Sequence, residues 1–270
     1  MWLIRLLTAA LPAVILPPTA PAVLGLAALT LWGGGYPARA DVIELRADQW
    51  CPFNCVPGSS APGFMVELAR EALAPFGHEV RYANLNWSRS LAEVRVGTVN
   101  GVIGTDTDES PDLVFGAPLG QYQEAAVFRR NEARPIATPQ DLQGLRLGGI
   151  QDYDYAAALL DYIESNKTDP TRVQLLSGDN GLHRNLQKLL THRIDLILEE
   201  RSVLLHALNA LGLRDQVDVI AQEAVTPLYI GFSPALDSSA LYASQLSQGL
   251  ERLKLSGRYD EILTRYGLEG

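Results

Sequence analysis

The chain has 270 residues, with 22 lysines and arginines against 31 aspartates and glutamates, which gives a formal net charge of −9 at pH 7. So acidic a composition argues against a nucleic acid as partner, because binding to phosphates needs a basic surface. The length is sufficient for one large hydrophobic core or two smaller ones.

Residues 1–40 are predicted to form a cleavable signal peptide. Arg5 is the only charge before Arg39, the run 6–32 between them is apolar, and the small-residue pattern Ala38-Arg39-Ala40 follows. A retained membrane anchor is the alternative, since the run is long enough to span a bilayer, but four prolines interrupt it. Cleavage after Ala40 leaves 230 residues with a formal charge of −11, which predicts a protein of the periplasm.

Strand-like and helix-like segments then alternate to the end of the chain, the pattern of an α/β protein with largely parallel sheets. The predicted strands, in chain order, are 42–46, a segment ending at Tyr82, 101–105, 121–130, 145–150, 173–176, 194–198 and 228–232. The predicted helices are 63–76 with Gly77 as its stop, a segment from a Ser88 cap to Gly97, 155–163, 182–190, 203–211, 240–255 and 259–266.

The order of these segments, together with a series of short motifs, resembles the periplasmic solute-binding proteins of polar amino-acid ABC transporters, the extracellular solute-binding proteins of family 3. The likeness covers residues 41–270. The motifs that carry it are Ala47-Asp48 with the aromatic and proline loop after it, Gly63-Phe64-Met65-Val66-Glu67-Leu68-Ala69, Trp87 before a helix ending at Gly97, Pro139-Gln140-Asp141-Leu142-Gln143-Gly144, Arg193-Ile194-Asp195, Gly257-Arg258-Tyr259 and Tyr266-Gly267.

The resemblance implies a two-lobed α/β fold, the type II periplasmic-binding-protein fold, with a two-stranded hinge and a ligand cleft between the lobes. One lobe would be discontinuous, built from residues 41–128 and 227–270, and the other would hold residues 129–226. A ligand that contacts both lobes at once would drive closure of the hinge.

In such lobes ligands lie beyond the carboxyl ends of the strands, so the loops after each strand are the predicted binding surface. Their side chains are polar, aromatic or acidic, the mix expected of a site that stacks flat groups and fixes them with a few hydrogen bonds. The predicted ligand-binding residues are Asp48, Trp50, Phe53, Trp87, Thr105, Asp106, Glu109, Tyr122, Gln151, Tyr153, Tyr155 and Glu200. Asp108 and Asp112 are predicted to be solvated or to cap helices.

Two features of that set concern charge. Glu200 lies where the family commonly has the acidic residue that holds the ammonium group of a ligand, which favours it over Glu199 as the cation partner. The family also supplies an arginine that grips the α-carboxylate, yet residues 97–128 contain no lysine or arginine, and Glu109 or Ser110 stands nearest that position. Either the ligand is not a standard α-amino acid, or an arginine from elsewhere, with Arg89 the nearest, provides the clamp.

Cys51 and Cys55 form a C-x3-C pair in a chain without further cysteines. They are too few for a tetrahedral zinc site without borrowed ligands, and their spacing is not that of a C-x-x-C redox motif. In an oxidising compartment we expect them to form a disulfide.

The function predicted from the sequence is capture of a small polar metabolite for an ABC transporter, without catalysis, cofactor or metal. The protein is expected to be a monomer whose partner is an ABC permease or a membrane receptor. Two alternatives stay open: a dehydratase-like enzyme on the same fold, with Glu109 or Glu200 as an acid of raised pKa, and a ligand sensor for a membrane receptor.

Overall fold

A computed structural model describes residues 40–153, 155–177 and 180–268. The predicted signal peptide, apart from Ala40, lies outside these residues. Eleven strands occur in the described part of the chain: β1 Val42–Ala47, β2 Glu79–Asn84, β3 Gly101–Thr105, β4 Val114–Phe115, β5 Gly120–Tyr122, β6 Glu124–Arg129, β7 Leu147–Ile150, β8 Val173–Leu176, β9 Leu196–Glu200, β10 Val217–Ala221 and β11 Thr226–Phe232.

The α-helices of the described residues follow most strands and cover the sheets: α1 Phe64–Leu73, α2 Trp87–Arg95, α3 Ala157–Asn166, α4 Gly181–Leu190, α5 Arg201–Leu211, α6 Ser239–Leu255 and α7 Arg258–Arg265. Short 3₁₀ turns occupy Ala74–Phe76, Pro139–Leu142 and Arg214–Gln216. Within the described ranges no helix has both the length and the apolar character needed to cross a bilayer.

The strands form two sheets. The first has the order β2-β1-β3-β11-β4, with β5 also paired to β11; β1 is parallel to β2 and β3, and β11 is antiparallel to its neighbours. The second has the order β10-β6-β9-β7-β8, in which β7 is parallel to β8 and β9 while β6 is antiparallel to β9 and β10. We refer to the parts built on these sheets as the first lobe and the second lobe.

Each lobe has its own apolar core, as expected when amphipathic helices cover the faces of a sheet. In the first lobe, Leu45 and Ile103 of the sheet are buried in one cluster with Leu68 of α1 and Leu246 of α6. In the second lobe the two faces of the sheet form separate clusters. One surrounds Phe128, and the other includes Val127 of β6, Leu186 of α4 and Leu204 of α5.

The chain crosses between the sheets twice, from β5 to β6 and from β10 to β11. The two crossings are joined to each other, because Gln123 Nε2 donates to Gln222 O at 2.8 Å and Gln222 N donates to Glu124 O at 2.8 Å. Strand pairing shows that β6 belongs to the second sheet. The predicted lobe boundaries, between residues 128 and 129 and between residues 226 and 227, stay a prediction.

The structure differs from the predicted elements in a few places. Ser88 is not the cap of α2; Asn86 is, and its side chain accepts from Arg89 N at 3.4 Å. Asparagine and serine are about equally good caps, so composition did not decide between them. Strands β4 and β10 were not predicted. Gly77 does end the turn after α1, in a left-handed conformation with φ 86°.

Candidate ligand-binding site

The first wall of the site is the loop between β1 and α1. Cys51 and Cys55 lie at disulfide distance, with their sulfur atoms 2.14 Å apart, in agreement with the predicted pair. Phe64 N and Met65 N, at the start of α1, donate to Pro52 O and Phe53 O at 2.9 and 3.1 Å. The loop therefore satisfies two of the backbone donors that a helix N-terminus leaves open.

Gly63 permits this close approach. Its φ is 110°, and a Cβ at this position would lie 2.3 Å from Phe53 O, so a side chain would push the loop away from α1. The loop held in this way carries Trp50, which stacks on Phe53 with ring centroids 4.4 Å apart. The same ring lies 6.3 Å from Tyr122 and 6.5 Å from Tyr153. Trp50 is thus the centre of an aromatic wall.

A second wall is built on the segment after β3. Glu109 accepts from Trp87 Nε1 at 2.8 Å and from Thr105 Oγ1 at 2.9 Å, so its carboxylate has a fixed position. Asp106 Oδ1 accepts from the backbone N of Asp108 and Glu109 at 2.7 and 2.9 Å, which holds the turn that carries these acids.

The second lobe contributes the segment after β7. The Tyr153 hydroxyl donates to Asp48 Oδ2 in the first lobe. Tyr155 uses its hydroxyl within its own segment, where it accepts from Ile150 N at 2.6 Å and donates to Ile150 O at 3.1 Å. Burial raises the pKa of Tyr153 and Tyr155, so both hydroxyls keep their protons.

These walls enclose a cavity of about 280 Å³, close to the lower end of the sizes typical of small-molecule sites. Its lining combines five aromatic side chains with four carboxylates, and no lysine or arginine of the described residues belongs to it. The lining residues are Asp48, Trp50, Trp87, Ile103, Gly104, Asp106, Asp108, Glu109, Tyr122, Tyr153, Tyr155, Ala156, Leu160, Thr226 and Leu228.

Eight of the twelve predicted ligand-binding residues line this cavity: Asp48, Trp50, Trp87, Asp106, Glu109, Tyr122, Tyr153 and Tyr155. Four do not. Phe53 lies behind Trp50, Thr105 is fully buried beneath Glu109, Gln151 is exposed, and Glu200 caps α5. Phe53 and Glu200 line a different cavity, between the first-lobe loop, α5 and α7.

Glu199, not Glu200, is the acid of β9 that reaches the aromatic wall. Successive side chains of a strand point to opposite faces, so only one of the two can turn toward Trp50. Glu199 Oε1 accepts from Trp50 Nε1 at 3.0 Å, whereas Glu200 Oε2 accepts from Val203 N at 2.8 Å. Burial raises the pKa of Glu199 to about 8 and that of Glu200 to about 7.

Arg89, the nearest alternative for the carboxylate clamp, is engaged at the surface of α2. Its guanidinium pairs with Glu93 at 3.0 Å, its side chain is 70% exposed, and it does not line the cavity. Asp112 is a surface residue that pairs with Arg95 at 2.9 Å, and the neighbouring acid Asp108 lies on the cavity lining although it is exposed.

Sequence reasoning missed several lining residues. Ile103 and Gly104 belong to β3 and Thr226 and Leu228 to β11, and apolar or small strand residues carry no signal of their own for a binding role. Across the described residues, no group of three or more histidine, cysteine, aspartate or glutamate side chains has an arrangement suited to a metal ion.

The chain is similar to known proteins in sequence and in structure. The sequence profile of the family described as bacterial extracellular solute-binding proteins, family 3, matches residues 45–269. No curated protein sequence matches the chain.

Solved structures of this fold are numerous. One is an ABC uptake transporter substrate-binding protein from Streptococcus pneumoniae with bound histidine, with a TM-score of 0.68 and 18% identity over 83% of this chain and 92% of the other. A structure described under glutathione import in Streptococcus mutans has a TM-score of 0.70 and 16% identity over 85% and 96%. A histidine kinase sensor domain with similarity to periplasmic binding proteins has a TM-score of 0.68 and 18% identity over 86% and 98%.

Proposed function

The chain belongs to the bacterial extracellular solute-binding proteins of family 3, and on that premise we propose that it captures a small polar metabolite outside the cytoplasm for delivery to an ABC transporter. The family recognised from the sequence is confirmed, and so is the two-lobed α/β fold of the type II periplasmic binding proteins. We further propose that the protein is exported to the periplasm, cleaved after Ala40, and acts as a monomer with an ABC permease as partner.

The observation that carries the proposal is the cavity lined by side chains of both lobes. Trp87 and Glu109 reach it from the first lobe, and Tyr153 and Tyr155 reach it from the second. A ligand in this position contacts both lobes only when they are closed, so binding favours the closed form. The eight predicted residues on the lining are proposed as ligand contacts.

We propose that the ligand is not a standard α-amino acid. An α-carboxylate needs a positive partner when it is taken out of water, and no lysine or arginine of the described residues lines the cavity. Arg89 is engaged with Glu93.

We also propose that the protein does not transform its ligand. The buried acids with raised pKa, Glu199 and Glu200, are absent from the cavity lining, where a general acid would have to reach the substrate. Glu109, which does line the cavity, is fixed by Trp87 and Thr105.

A thermal-shift screen of polar metabolites on the mature protein tests the binding function. A ligand at 100 times its dissociation constant should stabilise the protein by about 2.7 kcal/mol. Asp48→Asn, which alters the cavity lining, should reduce the shift, and Asp112→Asn, on the surface, should leave it unchanged.

Chemical analysis of each incubation separates the alternatives. If no compound stabilises the protein but one is consumed, the enzyme hypothesis replaces binding. If none stabilises it and none is consumed, the proposed function fails. If the ligand-bound protein co-purifies with a membrane receptor and not with a permease, the role of a ligand sensor is favoured over transport.

A further inference from the structure

The lining of the cavity is rich in carboxylates. Asp48, Asp106, Asp108 and Glu109 line it, and no lysine or arginine of the described residues does. A ligand carboxylate would add a further negative charge to this surface, whereas a positive group would be attracted to it. The charge of the lining therefore discriminates between ligands with and without a carboxylate.

The hydrogen-bonding groups of the aromatic walls also favour a cationic ligand. Trp50 Nε1 donates to Glu199 and Trp87 Nε1 donates to Glu109, at 3.0 and 2.8 Å. The Tyr153 hydroxyl donates to Asp48. These three donors are engaged with protein carboxylates, so the walls offer an incoming ligand aromatic faces and acceptor oxygens, the groups that bind cations.

Asn54 adds an acceptor to the same region. Its side chain is 1% exposed, and among the described residues its Oδ1 has no hydrogen-bond partner, while Nδ2 donates to Asp48 O. This Oδ1 lies 3.8 Å from the position of a Cβ on Gly104, a residue of the cavity lining. A buried carbonyl oxygen without a donor is unfavourable, and its partial negative charge adds to that of the acidic lining.

Behind the wall lies a buried carboxyl group, that of Glu199. Glu199 is 3% exposed, accepts from Trp50 Nε1 and Glu200 N, and has no ion pair among the described residues. The ionisable groups that interact electrostatically with it, from the first-lobe loop, β5, the segment after β7 and its own strand, are Asp48, Tyr122, Tyr153, Tyr155 and Glu200.

None of those groups is a cation, and burial followed by repulsion from Glu200 and Asp48 raises the pKa of Glu199 to about 8. At pH 7 Glu199 therefore holds its proton. A positive charge placed beside Trp50 stabilises the ionised form of Glu199, so it lowers the pKa and the proton leaves to solvent.

Resting on the proposed binding function, we propose that the ligand is an organic cation without a carboxylate group, an amine, guanidine or quaternary ammonium compound, and that its binding releases a proton from the protein. The positive charge of the ligand compensates for the proton that Glu199 loses. Binding of this ligand is accordingly favoured as the pH rises toward 8.

Three matched pairs of probes test the ligand class by isothermal titration calorimetry: agmatine and arginine, putrescine and ornithine, choline and glycine betaine. In each pair the two compounds carry a similar cationic group, and only the second has a carboxylate. At least one carboxylate-free compound should bind ten times more tightly than its partner, and Glu109→Gln should weaken that binding at least tenfold. Asp112→Asn, outside the cavity, is the control.

The outcomes separate this inference from the proposed function. If the carboxylated compound of each pair binds as tightly or more tightly, the inference is overturned and the cleft accepts α-amino acids or betaines. If none of the three carboxylate-free cations binds while a neutral metabolite stabilises the protein, binding stands and the cation is excluded. If nothing in either screen binds, both fail.

Proton release is measured with the tightest cation at pH 7 in phosphate and in HEPES, two buffers with different heats of ionisation. Tris is unsuitable because it is a primary amine without an acidic group and so belongs to the proposed ligand class, whereas HEPES carries a sulfonate. The observed heats should differ between the two buffers in the direction of proton release. Glu199→Gln keeps an acceptor for Trp50 Nε1 and should bind the cation with equal heats in both buffers. Equal heats for the unmodified protein would overturn proton release.

Discussion

Tyr155 shows how a residue of the cavity lining can serve structure more than recognition. Its hydroxyl makes two hydrogen bonds to the backbone of Ile150, and its ring is 5% exposed. Tyr155→Phe would leave the buried N–H of Ile150 without its acceptor, so we expect the free energy of unfolding to fall by about 1–3 kcal/mol. Urea denaturation measures this loss.

A matched variant for that prediction is Tyr162→Phe in α3 of the same lobe. Its hydroxyl has no hydrogen bond among the described residues, so its removal should change the free energy of unfolding by less than about 0.5 kcal/mol. Equal losses in the two variants would mean that the Tyr155 hydroxyl is not the origin of the effect.

Which of Glu199 and Glu200 faces the aromatic wall could not be predicted from the sequence. The family resemblance placed an acidic residue at the end of β9, but the side chain that faces the aromatic wall depends on the register of the strand. A shift of one residue exchanges the two faces, and no local signal separates two adjacent glutamates. The same holds for Trp50 and Trp87: their positions on cleft loops were predictable, and their engagement with carboxylates from distant segments was not.

At the scale of elements, Asp195 ties three strands of the second lobe together. It accepts from Arg146 Nε at 2.9 Å, just before β7, and from Arg129 Nη2 at 3.3 Å, at the end of β6. The hydrogen bond from Arg146 is the main cause that lowers the pKa of Asp195 to about 2. Because the folded pKa lies below the unfolded one, this stabilisation is complete above about pH 4 and is lost as the pH falls toward 2.

Asp195→Asn should therefore lower the free energy of unfolding by about 2 kcal/mol at pH 7 and by progressively less between pH 4 and pH 2, as followed by urea denaturation. Asp112→Asn breaks an exposed pair with Arg95 and should cost less than about 1 kcal/mol at any pH. A loss for Asp195→Asn that does not diminish below pH 4 would contradict the ionic origin.

The disulfide loop is the second element with a testable role. By chain entropy, a closed loop of this size contributes only about 2 kcal/mol to folding. Its larger effect should be on Trp50, whose position depends on the loop packed against α1. The double variant Cys51→Ser, Cys55→Ser should weaken binding of any identified ligand more than it lowers the free energy of unfolding, measured by calorimetry and urea denaturation. Unchanged affinity would show that the disulfide does not position the wall.

Element boundaries were predictable where a residue with a special conformation ends a segment, as Gly77 does after α1. They were not predictable where pairing with a distant strand defines the element. Strand β10 exists as a partner of β6, and β4 as a two-residue partner of β11. Such strands are stabilised by neighbours far away in sequence, which a local pattern does not reveal.

At the scale of the whole molecule, the order of segments and the motifs shared with a known family were sufficient to predict the fold, but the arrangement of the two lobes depends on bonds between them. Three of them are Trp50 Nε1 to Glu199, Tyr153 OH to Asp48, and Ser88 Oγ to Asp152 Oδ2. Each joins residues that lie between 64 and 149 positions apart in the chain. These bonds favour closure of the lobes even without a ligand. A sequence pattern does not indicate such long-range contacts.

The double variant Trp50→Phe, Tyr153→Phe keeps an aromatic ring at each position and removes two of these bonds. At about 1 kcal/mol each, their loss should shift the balance between closed and open forms toward the open form by roughly 30-fold. Small-angle X-ray scattering of the ligand-free protein should then give a larger radius of gyration than for the unmodified protein. Trp87→Phe is the matched control, because its bond to Glu109 lies within the first lobe and should leave the radius unchanged. An unchanged radius in the double variant would mean that these bonds do not hold the lobes together and that closure depends on the ligand alone.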